Sequence, residues 1–340
     1  MSLATKYRPK TFDDVVEQPV IVDCLRNMCN QEVLENRNLL LIGPAGTGKT
    51  SSARLISNAL NGCNSEPIEI DAASNNGVDY MRDIVQQAKS FPIGVKYKTI
   101  IIDEAHSLSN QAWQCLLKVL EESPARTVFI FCTTNPEKIP ATVISRLQVF
   151  RLSKISLDGI YNRLKYVLDQ EQIQYEDDAV LLIAKLAQGG MRDALTMLDR
   201  VLAYTDNLTS EDTEKALNLP SYNDFFDLLG AFAKHDNSAI TKILYQAYNG
   251  DSNYINWLEA FQAFVVNVMS FIYLQDINKT SIPSHYKEKL MKYTDAHAFV
   301  CIKLSSILMQ MFRDIKTSSY QYEVSLSYLC HPKTPKGASQ

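Results

Sequence analysis

Gly43-Pro44-Ala45-Gly46-Thr47-Gly48-Lys49-Thr50 matches the phosphate-binding spacing G-x-x-x-x-G-K-[ST] at every position. Gly43, Gly46 and Gly48 let the backbone form a nest whose N–H groups point at phosphate oxygens. Lys49 suits the β- and γ-phosphates, and the Thr50 hydroxyl suits Mg2+. Further along, the apolar run Thr99-Ile100-Ile101-Ile102 ends in Asp103 and Glu104. An acid at a strand end can hold Mg2+, directly or through water, and its neighbour can orient or deprotonate an attacking water. Thr133-Thr134-Asn135-Pro136 is a third polar point. A side chain there can bond the γ-phosphate or the attacking water, or simply cap a turn. The plain alternatives for the first two are a glycine-rich turn and a solvated strand end.

The surrounding elements favour the chemical readings. Asn38-Leu39-Leu40-Leu41-Ile42 is a short apolar run that predicts a buried strand before the glycine loop. Residues 51–60 carry apolar side chains at helical spacing after it, so Ser51 opens a helix whose positive end faces the same anion. Pro67–Asp71, Thr99–Ile102, Val128–Cys132 and Val149–Leu152 predict four more strands. Helical patterns at 78–88, 107–122 and 141–146 separate them. Strands alternating with helices argue a mostly parallel sheet covered on both faces, with ligands at the carboxyl ends of the strands. Upstream, Thr11 or Asp13 can cap a helix starting near Val15, and Val20–Cys29 has helical spacing.

After Leu152 the strand signals stop. Helices are predicted at 157–170, 177–186 and 192–204, with a last short one from Thr209 to Leu217. Leu219-Pro220-Ser221 reads as a linker, and the chain is then helical to about 330. Trp257, Phe261, Phe264, Val268 and Phe271 form one apolar stripe, and Leu304, Leu308, Met311 and Ile315 another. Such stripes are far more often helix–helix core than cofactor boxes. His235, His285 and His297 lack metal-ligand spacing. The tail 332–340 is polar and is expected to be disordered.

The chain has 340 residues, 46% of them hydrophobic, enough for two or three domains with ordinary cores. A net charge of -4 announces no overall basic surface, although a local one remains open. Seven cysteines contain no C-x-x-C pair, so no zinc site is expected; Cys115 and Cys132 read as small core residues. Reduced thiols, a cytoplasmic location, no signal peptide and no membrane-spanning run are expected.

Seven segments resemble a family: YRPKTFDDVVEQ, GPAGTGKTSSAR, IEIDAASNNGVD, IIIDEAHSLS, LLKVLEESP, TTNPEKIPATVISR and GGMRDAL. Their order and spacing are similar to the gamma/tau ATPases of bacterial DNA polymerase III, clamp-loader members of the AAA+ superfamily. The resemblance covers about residues 4–205 specifically and the helical remainder loosely. It implies an α/β P-loop AAA+ core with a five-stranded parallel sheet (1–152), a small helical lid (153–219) and an all-helical collar (220–331). Tyr7, Arg8, Pro9, Val15 and Val16 would pack on the adenine, and Gly43 to Thr50 would hold phosphate. Asp103 and Glu104 match the acid pair, Glu104 as base. Thr134, with Asn135, matches the γ-phosphate sensor. Arg146, after Ser145, matches an arginine that reaches a neighbouring subunit's ATP, and Arg192 a lid arginine contacting phosphates.

The same resemblance implies ATP and Mg2+ as ligands. It implies partner subunits in a ring or spiral, a pentamer, together with a sliding clamp and a primed DNA junction, and no membrane. Ser74, Asn75, Asn76 and Gly77, before a helix, suit phosphate contact without sequence reading, with Lys89, Lys96 and Lys98 adding charge; a solvated loop is the alternative. There are departures. The family's four-cysteine zinc module is reduced to Cys63, and Leu147 stands where a cysteine follows the arginine. The chain stops at 340, so a compact gamma-like form without the tau extension is expected, possible in a phage or a minimal genome. Another AAA+ motor, or a nucleotide-bound subunit that does not turn over, are the competing functions.

Overall fold

The computed structural model describes residues 1–29, 38–62, 66–122, 124, 126–219, 221–250, 253–316 and 318–331, without the side chain of Asn278. The expected loop at Cys63, the residue Pro220 of the expected linker and the 332–340 tail lie outside the described residues. The chain divides into two compact units. One holds Met1–Gln172 and Ala187–Asp199, the other Ile173–Leu186 and Arg200–Gln340.

In the first unit, β1 (Leu39–Ile42), β2 (Ile68–Asp71), β3 (Lys98–Asp103), β4 (Thr127–Thr133) and β5 (Gln148–Arg151) form one sheet in the order β2-β3-β4-β1-β5. Every pairing is parallel. The three central strands are apolar almost throughout because both of their faces are covered. Alternation sorts their side chains. Leu40, Ile42, Ile100, Ile102, Phe129 and Phe131 pack with the helices Val78–Lys89 and Asn110–Glu122. Leu39, Leu41, Ile101, Val128 and Ile130 pack with Pro19–Cys29 and Lys49–Asn61. Cys132 is buried in that second layer, as expected, whereas Cys115 is only half-buried.

Register brings the carboxyl ends of the strands together. Asp71 pairs with Asp103, and Ile42 pairs with both Thr133 and Arg151. The polar points separated along the chain thus share one edge.

The helix expected near Val15 is not formed. Instead Phe12–Asp14 makes a single 3-10 turn and Val15 is extended. The Asp14 carboxylate accepts the N–H groups of Lys10 and Thr11, which closes that turn. The helix begins at Pro19, whose fixed φ suits a first helical position. Gln18 then holds the segment down: its side chain bonds both the carbonyl and the N–H of Ser153, at 2.8 and 3.1 Å.

The second unit is helical. Phe225, Trp257, Phe261, Phe264, Val268, Leu304, Leu308 and Met311 belong to one buried cluster, so both apolar stripes are core as expected. Thr209, Asp236 and Asn253 cap their helices by accepting N–H groups. One expectation fails: the helix Tyr254–Leu274 has the length and apolar composition to cross a membrane. Its apolar side is instead satisfied by the helical core.

Candidate active site

The site is built where β1 turns into the helix Lys49–Asn61. Gly46 and Gly48 have φ of 72° and 99°, the left-handed region that favours glycine. A methyl group on Gly46 would also stand 3.0 Å from Gly190 Cα, and Met191 N–H donates to the Gly46 carbonyl at 3.0 Å. The Gly189-Gly190 turn therefore packs directly on the phosphate loop.

Lys49 is buried at the base of this loop, and its Nζ donates to the carbonyls of Gly43 and Pro44 at 2.9 and 2.8 Å. Burial lowers its pKa, while the Glu104 and Asp103 carboxylates oppose the shift. Thr50 Oγ1 donates to Asp103 Oδ2 at 2.6 Å, so β1 and β3 deliver two hard oxygen donors to one point. Asp103 Oδ1 accepts the Glu104 N–H at 2.9 Å. Glu104 itself has φ 47°, a left-handed conformation that turns its side chain off the strand's alternation.

These groups line a cleft of about 970 Å3, its open mouth included. Ala45, Gly46, Thr47, Gly48, Lys49, Thr50 and Ser51 form one wall, with Asp103 and Glu104. Tyr7, Arg8, Pro9, Val15 and Val16 form another. Arg192 lines it too. Burial, then the Arg54 and Arg192 charges, lower the Arg8 pKa, which marks a concentration of positive charge suited to phosphate.

Other expected residues lie outside the cleft lining. Thr134 Oγ1 donates to Asn135 Oδ1 at 2.8 Å. Arg146 is fixed by Glu121 at 2.5 Å and by the Thr142 carbonyl at 2.6 Å. In the Ser74–Gly77 turn, the Ala73, Ser74 and Asn75 N–H groups are already bonded to Asp71. The helix start at Gly77 carries no side-chain cap. Lys98 does not join them: its ammonium bonds the Gln87 and Ser90 carbonyls at the far end of that helix.

Sequence reasoning missed several participants. Ile155, Arg163 and Leu195 line the cleft, and Arg163 donates to the Tyr7 carbonyl at 3.3 Å. Arg163 and Leu195 come from helices whose spacing marks only packing, and Ile155 from the segment that precedes the first of them. His106 was also without a role; its Nδ1 lies 3.1 Å from Thr133 Oγ1 and 3.3 Å from Glu104 Oε2.

A glycine loop after β1, an acid pair after β3 and a parallel 2-3-4-1-5 sheet define an AAA+ P-loop protein. The Thermotoga maritima RuvB Holliday junction branch migration motor shares the fold, with a TM-score of 0.53 and 20% identity over 84% of this chain and 98% of that one. The chain belongs to the DNA polymerase III gamma/tau family. It is 33% identical to DNA polymerase III subunit gamma of Buchnera aphidicola subsp. Schizaphis graminum over 264 residues, covering 71% of this chain and 72% of that protein. It is 36% identical to DNA polymerase III subunit gamma/tau of Mycoplasma genitalium over 80% of its own length, and 43% identical to the tau subunit of Bacillus subtilis over 61%. It spans 49% and 40% of those two proteins. Residues 159–207 match the DNA polymerase III clamp loader subunit ATPase lid domain, and residues 68–156 match the DNA polymerase III delta subunit.

Proposed function

We propose that the chain is an ATPase motor subunit of a sliding-clamp loader. ATP binding opens the clamp and grips primed DNA; DNA-stimulated hydrolysis releases the loaded clamp. The observation that carries the reading is the Thr50–Asp103 bond beside buried Lys49, at the floor of a cleft, in a gamma/tau family member. Two hard oxygens 2.6 Å apart fit Mg2+. When bound, that ion neutralises phosphate charge and orients the leaving group. Lys49 and the loop N–H groups bind the β- and γ-phosphates. Glu104 orients the attacking water and takes its proton. Arg192 adds positive charge from the cleft wall, Thr134 reads the γ-phosphate, and Tyr7, Arg8, Pro9 and Val16 hold the base.

Arg146 completes the site of a neighbouring subunit. Its place outside its own cleft supports this, and so does the transition-state charge a guanidinium can stabilise. Hydrolysis then depends on assembly in a ring or spiral, proposed as a pentamer. The core 1–152, lid 153–219 and collar 220–331 are the proposed working parts, and the lid match at 159–207 supports the middle one.

The test is steady-state ATP turnover by the full chain assembled with its partner subunits, with and without clamp and primed DNA. Stimulation by both is expected. Its absence from an assembly of folded subunits would overturn the reading. Arg146→Ala should spare nucleotide binding by the chain and lower turnover of the assembly by about 10³-fold or more. Unchanged turnover refutes the assignment of Arg146.

A further inference from the structure

We propose that His106 is a positioning residue for Glu104, and that it ties this carboxylate to the end of β4. The inference rests on the ATPase reading above. Among the described residues, Glu104 Oε2 is buried and has no hydrogen-bond partner, although its side chain is 40% exposed overall. His106 Nδ1 lies 3.3 Å from it, just beyond good hydrogen-bond geometry. The same Nδ1 lies 3.1 Å from Thr133 Oγ1.

Thr133 is wholly buried and is committed on its other sides. Its carbonyl accepts the Gly43 N–H at 3.2 Å, and its hydroxyl oxygen accepts the Asn135 N–H at 3.1 Å. One short path therefore links the first glycine of the phosphate loop, the Thr134-Asn135 segment and the base.

The tautomer follows from the partners. A bare Nδ1 lone pair would face the Glu104 carboxylate across 3.3 Å, which is repulsive. With the proton on Nδ1, a single N–H lies between two acceptors, Thr133 Oγ1 and Glu104 Oε2. Its share to Glu104 depends on where the end of β4 holds Thr133. His106 is 16% exposed, so little water competes for that proton. Glu104 needs such a guide, because its left-handed backbone removes the strand's own control over side-chain direction.

The experiment uses the full chain with its partner subunits and compares His106→Ala, His106→Gln and His106→Asn. The asparagine amide nitrogen stands near the place of Nδ1; that of glutamine stands nearer Nε2. Alanine and glutamine should lower kcat by about ten- to hundredfold, with KM and nucleotide affinity unchanged. Asparagine should retain most of the rate. Equal rates in all variants, asparagine falling as far as alanine, or affinity falling together with kcat would overturn the proposal. Imidazole nitrogen NMR of the full chain gives a readout without turnover. A protonated Nδ1 whose signal moves in Glu104→Gln supports the contact, and an unprotonated or insensitive Nδ1 overturns it. An unaltered assembly that hydrolyses no ATP would sink the ATPase reading, while this signal still decides the contact.

Discussion

Among the described residues, Glu104 and Glu214 each carry a buried carboxylate oxygen without a hydrogen bond, one in each unit. Their surroundings differ. Glu104 opens onto a cleft that also holds Lys49, Thr50, Asp103 and Arg192. Glu214 sits among helices, with His285 Nε2 at 3.6 Å. Burial, then the neighbouring Glu211 charge, raise its pKa. The phenols of Tyr222 and Tyr286 close by are pushed up to about 12 by burial, with a contribution from Glu214. An unsatisfied acid thus signals chemistry only where a cavity and a cation face it. The parallel sheet makes that coincidence possible, because all its strands end at one edge. Among its described residues the helical unit has no such edge, and it uses Thr209, Asp236 and Asn253 as caps.

The contrast breaks first at the cleft. Lys49→Ala should abolish ATP binding, a loss of roughly hundredfold or more from removing a charged contact, measured with radiolabelled nucleotide. Glu104→Gln should keep binding and lower hydrolysis by about 10²–10⁴-fold. Equal loss of binding in both variants would erase the distinction between holding and reacting.

The helical unit should fail in stability instead. Phe261 is fully buried against Phe225, Trp257 and Phe264. Phe261→Ala should cost about 3–5 kcal/mol in denaturant unfolding, with nucleotide affinity retained by the folded protein.

The smallest effect has the opposite sign. A raised Glu214 pKa means the folded state prefers the protonated acid. That contribution is complete below the ordinary carboxylate range and is lost as pH rises through the raised value. Glu214→Gln, which stays neutral, should therefore raise Tm at pH 7 and give no gain at low pH. A lower Tm at pH 7 would mean that the ionised carboxylate is paired after all.

Legibility followed distance along the chain. The phosphate loop and its flanking strand and helix lie within residues 38–61, and they were readable as a unit. The helical stripes were readable because one helix carries each. Local reading failed where a remote partner decides. Val15 was assigned to a helix, yet the Gln18–Ser153 bonds and the start at Pro19 make this segment an extended wall of the cleft. Lys98 was read as charge for DNA, but it caps a helix end. His106 carried no signal, because its partner Thr133 lies 27 positions away.

Residue types and spacing by themselves determined the glycine loop, the acid pair, five strands and the helical remainder. Each is written in a short window of periodicity or backbone preference. Only the tertiary structure decided that β4 lies between β1 and β3, that Thr50 meets Asp103, and that Arg146 lies outside its own cleft. Strand order and register follow from burying two sheet faces at once, a condition on the whole unit that no short window contains.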